Sequence, residues 1–290
     1  MKYSPTISFI IPVFNSEKSI KNTIASVYPQ LNSTDELIII NDGSSDGTRK
    51  ILSTYKKQNI LIINQKNHGV SFSRNIGVQN ATGDIVAFLD SDDLLIDGIV
   101  NKVKKCFFEN TEINWAFGYY NISSSTQNIT VRHPNLHCGK YKSVFELYNS
   151  FSKKKTNELL TTCSLYFRRN SLLKCGGFDE SMISGEDTYL WLKFGLLNPE
   201  IFYLDTLTFN YNRGDLINER KKHIRRSKNE ILRIIKGLDL IKKTVPYNYL
   251  ALEVVNIWLY RHLKLCIRSL QFRKTIILMN IKVKIFFKIF

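Results

Sequence analysis

Apart from Ser8, Ile7 to Val13 (ISFIIPV) is an apolar run, which predicts a strand covered on both faces. Ser16 is placed to cap a helix from Glu17 to Tyr28, and Pro29 stops it. Glu36 to Ile40 predicts a second buried strand. The turn-forming run Asn41 to Gly47 (NDGSSDG) follows, then a helix to about Gln58. Ile60 to Asn64 predicts a third strand, Asn67-His68-Gly69 a turn, and Ser71 to Asn80 a helix. Gly83-Asp84 breaks that helix, Ile85 to Leu89 predicts a fourth strand, and Asp90 to Asp93 is a sharply polar loop. Further on, the pattern mixes short strands (Asn114 to Asn121, Asn128 to Arg132, Ser164 to Phe167) with a helix near Ser143 to Ser152. Gly185-Glu186-Asp187 opens a helix ending near Leu197, and Ile201 to Tyr211 reads as one or two edge strands. Long helices are expected at Asn218 to Lys243, Tyr247 to Leu270 and Thr275 to Phe290, with Pro246 between the first two.

Strands alternating with helices imply βαβ units and an α/β fold with a mainly parallel, Rossmann-like sheet flanked by helices. In such sheets ligands sit outside the carboxyl ends of the strands. The acidic loops Asn41–Asp46 and Asp90–Asp93 each follow a strand end directly, so they are expected to meet at one rim. The organisation expected is a catalytic unit over residues 1–215 and a helical C-terminal extension over 216–290.

Composition sharpens the second boundary. The 290 residues are 43% hydrophobic and 23% charged, enough apolar side chain for a substantial core and too little charge for global disorder. The net charge of +16 is concentrated at one end. From Leu216 to Phe290 there are 18 Lys and Arg against 4 Asp and Glu, while the rest of the chain carries 23 and 21. Such asymmetry points to an anionic surface as partner, or to a solvated lysine-rich helical face. Lys and Arg alternate with large apolar residues in Phe272 to Phe290 (FRKTIILMNIKVKIFFKIF), as in a helix lying on anionic lipid. The other reading is an appendage that packs on the domain or forms a homodimer. Five cysteines without CxxC spacing predict neither a disulfide framework nor a zinc site. With no signal-peptide pattern at the start and no uncharged window of about 18 residues, a cytoplasmic protein is expected, peripheral on the inner face of the cell membrane.

Four clusters carry candidate chemistry. In Asp90-Ser91-Asp92-Asp93, carboxylates crowded at a strand end repel one another unless a cation offsets them, and hard oxygens suit Mg²⁺ or Mn²⁺. A solvated acidic loop is the plainer reading. In Asn41-Asp42-Gly43-Ser44-Ser45-Asp46-Gly47-Thr48, Asp46 or Thr48 can cap the next helix, whereas Asp42 could accept a hydrogen bond from a base imide or a ribose hydroxyl. In Gly69-Val70-Ser71-Phe72-Ser73-Arg74-Asn75, the arginine either faces a diphosphate or pairs with solvent. In Gly185-Glu186-Asp187, the carboxylates complement the helix dipole, and one kept ionised at a rim is a ready general base.

Taken together and in this order, SFIIPVFNSEKSI, NDGSSDGT, NHGVSFSRNIGVQNATGDIVAFLDSDD and GGFDESMISGEDTYLWLK resemble family 2 glycosyltransferases of the GT-A fold, over about Ser8 to Leu197. The resemblance implies an inverting transfer of one sugar from a nucleotide-sugar donor, UDP-linked by analogy, to a saccharide or lipid-linked saccharide, as in bacterial surface-polysaccharide assembly. It implies a nucleotide-sugar half over 1–98 and an acceptor half over 99–215. Pro12, Val13, Phe14 and Asn15 would line the nucleotide pocket with Glu17 beside them. Asp42 would contact the base and Arg74 the diphosphate. Asp90-Ser91-Asp92 matches the family's D-x-D, with Asp92 as the direct ligand of Mn²⁺ or Mg²⁺ and Asp90 as a second. Asp187 matches the catalytic base, with Glu186 orienting acceptor or base. Asn41 stands where aspartate is usual, and the Q-x-x-R-W element of processive synthases is absent, which implies one sugar per encounter.

Three rivals are weaker. A sugar nucleotidyltransferase would share fold and metal, but no Gly-rich, Lys-bearing phosphate loop follows the first strand. A nucleic-acid module using the basic tail lacks a recognised motif or aromatic platform. A Rossmann dehydrogenase would need G-x-G-x-x-G after the first strand.

Overall fold

The structure is a computed structural model. It describes residues 4–123, 128–132, 136–145, 147, 160–182, 185–212, 235–237 and 239–240. Most of the helix expected at Ser143 to Ser152, and nearly all of the C-terminal helices, lie outside these residues.

Ten strands among the described residues form one sheet. β1 (Ile7–Val13) pairs in parallel with β2 (Glu36–Asp42) on one side and β4 (Ile85–Phe88) on the other, and β3 (Ile60–Gln65) adds in parallel beyond β2. This half is the βαβ arrangement expected from sequence. Beyond β4 the sheet becomes mixed. β9 (Leu165–Arg168) runs antiparallel between β4 and β6 (Trp115–Ser123), and β6 runs parallel to β10 (Ile201–Asn212). The short strands β5 (Leu94–Leu95) and β8 (Gly139–Tyr141) pair antiparallel with β10, and β7 (Asn128–Val131) with β6. The run from Ile201, expected as one or two edge strands, is therefore a single twelve-residue strand with neighbours on both sides.

Both faces of the sheet are covered, and β1 is buried at every position. Ile10, Ile38, Ile40, Val86, Phe88 and Phe167 point into one core, together with α3 (Val70–Asn80), α5 (Arg169–Lys174) and α6 (Glu186–Leu197). Phe9, Ile11, Leu37, Ile39 and Ala87 point into the other, under α1 (Ile20–Val27) and α4 (Ile99–Glu109). α3 lies close on β1. A Cβ added to Gly77 would stand 2.3 Å from Ile10 Cγ2, so only glycine allows this approach. α4 falls in a stretch given no element from sequence, although Ile99, Val100, Val103, Cys106 and Phe107 follow helical spacing.

Two helices differ in extent from expectation, for local reasons. α2 (Thr48–Leu52) ends well before Gln58. Ser53 Oγ and Thr54 Oγ1 donate to the Lys50 and Ile51 carbonyls, the side-chain competition that disfavours continued helix. α1 begins at Ile20 rather than Glu17. Ser16 supplies its carbonyl to the N–H groups of Ser19 and Ile20, while its hydroxyl lies 2.6 Å from Ser91 Oγ instead of capping the helix.

Candidate active site

β1, β2 and β4 are parallel neighbours, so the loops that follow them leave from one rim, as the sequence order requires. The loop after β1 is stitched to the loop after β2. Asn15, at φ +51°, donates its N–H to Ser44 Oγ at 3.0 Å and accepts from the Ser45 N–H through Oδ1 at 2.8 Å. The Ser16 N–H donates to Thr48 Oγ1 at 2.8 Å, and Glu17 Oε2 accepts from the Gly47 N–H at 2.7 Å. Pro12 and Val13 are buried at the end of β1, and Phe14 projects with 50% of its surface exposed. The Ser16–Ser91 contact ties this pair of loops to the acidic loop after β4.

Asp42, at the end of β2, is buried and already engaged. Its Oδ1 accepts from Gln65 Nε2 and the His68 N–H, each at 2.8 Å, and its Oδ2 from the Gly69 N–H at 2.8 Å. Gly69, at φ +92°, then opens α3. The carboxylate thus fixes the turn that launches α3, a structural task not legible from the strand pattern.

Arg74 lies on the first turns of α3 and joins the two halves of the sheet. Its Nη2 donates to Asp90 Oδ1 at 2.8 Å and its Nη1 to Glu186 Oε1 at 3.1 Å. The Arg74 side chain is 5% exposed, that of Asp90 38%. The Phe178 ring centroid lies 5.2 Å from the guanidinium carbon. Burial alone would lower the arginine pKa, but the carboxylates of Asp90 and Glu186 outweigh it and hold the group firmly charged. Glu186 is raised above its ordinary value by burial and by its neighbour Asp187, with Arg74 opposing. Asp187 stands beside it in the first turn of α6. Its Oδ1 accepts from the Thr188 N–H at 2.6 Å and Thr188 Oγ1 at 3.1 Å.

The acidic loop contains three differently placed carboxyl groups. Asp90 pairs with Arg74, and Asp92 is exposed. Asp93 is 1% exposed, accepts the Asn212 N–H through Oδ1 at 2.9 Å, and has no hydrogen-bond partner at Oδ2 among the described residues. Burial, then the charge of Asp90, push its pKa up to about 8. Ligand atoms of Asp90, Asp93 and Cys163 lie within 4.8 Å of one another. The carboxyl oxygens here and on Asp92 fit a hard cation such as Mg²⁺ or Mn²⁺. The buried Cys163 thiol, pushed well above its ordinary pKa chiefly by that burial, suits neither.

The structure therefore gathers Asp90, Arg74 and Glu186 in direct contact, with Ser91 tied to the loop after β1 and Asp187 next to Glu186. Asp93, Cys163 and Phe178 join them without having been selected as site residues. Asp93 was visible in the DSDD run. Cys163 and Phe178 arrive through long-range packing that carries no local signal.

A sheet whose parallel strands release acidic loops at one rim, extended by a mixed half that brings a second carboxylate pair, is the GT-A glycosyltransferase architecture. S. aureus TarS 1-349, solved in complex with UDP-GlcNAc, shares this fold, with a TM-score of 0.68 over 89% of this chain and 73% of that one at 19% identity. The chain belongs to glycosyl transferase family 2, whose family model matches residues 8–178. It is 28% identical over 211 residues to the glycosyltransferase GlyA of Streptococcus pneumoniae, covering 71% of this chain and 30% of GlyA. It is 33% identical over 193 residues to the uncharacterized glycosyltransferase RC0461 of Rickettsia conorii, covering 66% of this chain and 30% of that protein. The matched region thus spans under a third of either relative.

Proposed function

We propose that this protein transfers one sugar from a nucleotide-diphosphate sugar, a UDP-sugar, to a hydroxyl of a saccharide or lipid-linked saccharide, inverting the anomeric centre, within bacterial surface-polysaccharide synthesis. The observation that carries this reading is the meeting of two carboxylate groups from separate halves of the sheet, Asp90 after β4 and Glu186 opening α6, on one guanidinium. The UDP-GlcNAc complex of a protein with the same fold supports the donor class.

In this reading residues 1–98 hold the nucleotide sugar, residues 99–215 the acceptor, and residues 216–290 form a basic extension. Pro12, Val13, Phe14 and Asn15 line the nucleotide, and Asp42 Oδ2, which takes a single hydrogen bond, keeps a lone pair for the base. Asp92, with Asp90, would hold Mn²⁺ or Mg²⁺. Such an ion, when bound, neutralises charge on a leaving diphosphate. Asp187 takes the proton of the acceptor hydroxyl as that oxygen attacks the anomeric carbon, and Glu186 fixes the start of its helix. One displacement from the opposite face inverts the centre, by the same geometric logic as inverting hydrolysis. The test is nucleotide release from a panel of donors with Mn²⁺ and Mg²⁺. Release of free nucleoside diphosphate is expected, with Asp187→Asn lowering turnover by about 10²–10⁴-fold at intact donor binding. Release of pyrophosphate, or full turnover by the variant, would overturn the assignment.

A further inference from the structure

We propose that Arg74 is a positioning residue, which clamps Asp90 to Glu186 and so fixes Asp187 against the donor side, rather than a ligand of the donor diphosphate. The inference rests on the transferase reading for its kinetic arm and on geometry for the rest.

The Arg74 side chain is 5% exposed, and each terminal nitrogen donates to a different carboxylate. A planar fork can hold two carboxylates at once, which a single ammonium cannot do as well. Phe178 covers one side of it. An incoming diphosphate would have to displace carboxylates that already neutralise the cation.

Arg74 does not act alone. Ser71, Arg74 and Asn75 lie at i, i+3 and i+4, on one face of α3. All three hold the segment leading into α6. Ser71 Oγ donates to the Met182 carbonyl at 3.4 Å. Asn75 Nδ2 donates to the Phe178 carbonyl at 2.9 Å and to Glu180 Oε1 at 2.8 Å, and its Oδ1 accepts the Phe178 N–H at 2.8 Å. A side chain added at Gly177 would meet Asn75 Oδ1 at 2.5 Å, so the segment lies flush against the helix. One helix face therefore seats Gly177–Met182 and Glu186, and Arg74 supplies the charged clasp among these contacts. Glu186 and Asp187 are adjacent, so releasing one shifts the other. Without the cation, Asp90 and Glu186 would face each other as like charges beside Asp187.

The experiment compares wild type, Arg74→Met, Arg74→Lys, Glu186→Gln and the Arg74→Met/Glu186→Gln double variant. Three quantities are read: kcat, donor KM, and the urea midpoint. Arg74→Met is expected to lose about 100-fold in kcat, the scale of a 1 Å misplacement, with donor KM within about threefold. Arg74→Lys restores part of that loss. Adding Glu186→Gln to Arg74→Met costs nothing further in kcat or midpoint, since the pair is already broken. A donor KM raised tenfold or more with kcat preserved, or strictly additive losses in the double variant, would return Arg74 to the diphosphate. Should Arg74→Met fail to fold, Arg74→Lys carries the same kcat-against-KM split. Should wild type release no nucleotide, the transferase reading fails, and the non-additivity of the urea midpoints still decides the clamp.

Discussion

Replacing Asp42 by asparagine turns one oxygen into an NH₂ group at a point where three donors converge. The amide oxygen can keep Gln65 Nε2 and the His68 N–H, both 2.8 Å from Oδ1, but Nδ2 then faces the Gly69 N–H, which sits 2.8 Å from Oδ2. One backbone donor is left against another donor. An unsatisfied donor of this kind costs about 1–3 kcal/mol when buried. His68 and Gly69 are themselves exposed, so the lower part of that range applies. Asp42→Ala strands two backbone donors and removes a buried carboxylate, for about 2–4 kcal/mol in all. Against a total stability of about 5–15 kcal/mol, both effects are readable. Urea unfolding followed by far-UV circular dichroism should show Asp42→Ala with its midpoint lowered by about 1 M and Asp42→Asn in between, both at unchanged slope. UDP binding, measured well below each midpoint, should weaken in both. Wild-type midpoints combined with lost UDP binding would refute the reasoning. The turn before α3 would then stand without Asp42, and the carboxylate would be a ligand contact alone.

Two further outcomes are expected. Lys104→Met leaves Asp35 buried with, among the described residues, the Ile7 and Asn32 N–H groups as partners, at 3.1 Å each, and should cost about 3–5 kcal/mol in urea unfolding. This pair lies at the opposite end of β1 and β2 from the rim, so turnover per folded molecule should be unchanged; a large loss of turnover would show that the two ends of the sheet are coupled. The basic extension should bring the protein down with anionic vesicles in sedimentation, and removal of residues 270–290 should abolish this. Equal pelleting with and without that segment would leave membrane attachment unsupported.

The parallel half of the fold was legible because strands covered on both faces write themselves as apolar runs, as in Phe9–Val13 within β1 and Leu37–Ile40 within β2. The main strands of the mixed half were legible too, at Asn114 to Asn121, Asn128 to Arg132, Ser164 to Phe167 and Ile201 to Tyr211, but their order in the sheet was not. β6 lies between β9 and β10, and that spatial order follows from packing among Trp115, Phe167 and Phe194 rather than from any local period. Local chemistry also misled where a side chain had a distant partner. Ser16 has the right type to cap a helix, but its hydroxyl lies against Ser91 in the loop after β4. At the site, the acidic and Gly-rich runs marked the rim, since carboxylates crowded at strand ends are costly without a use. What each carboxylate bonds to was hidden, because Arg74 meets a partner 112 positions away.

Those partners divide the rim's acids by function. Asp42 is neutralised by N–H donors, Asp90 and Glu186 by one guanidinium, and Asp93 by burial that favours its protonated form. Each of these is held by the protein itself, and Asp42 and Asp90 are in addition the groups proposed to meet the base and, with Asp92, the cation. Asp92 is exposed, and Asp187, half-buried, bonds within the described residues only to Thr188, through Oδ1. In the proposed reaction Asp92 would hold the cation and Asp187 would take the proton of the acceptor hydroxyl, and both are more exposed than the buried Asp42 and Asp93. The clamp proposed at Arg74 would set the separation between Asp92 and Asp187: one lies two residues beyond Asp90, the other one residue beyond Glu186. Catalysis in this arrangement depends on that separation being fixed before substrate arrives, which is the condition for an oriented displacement rather than a diffusive one.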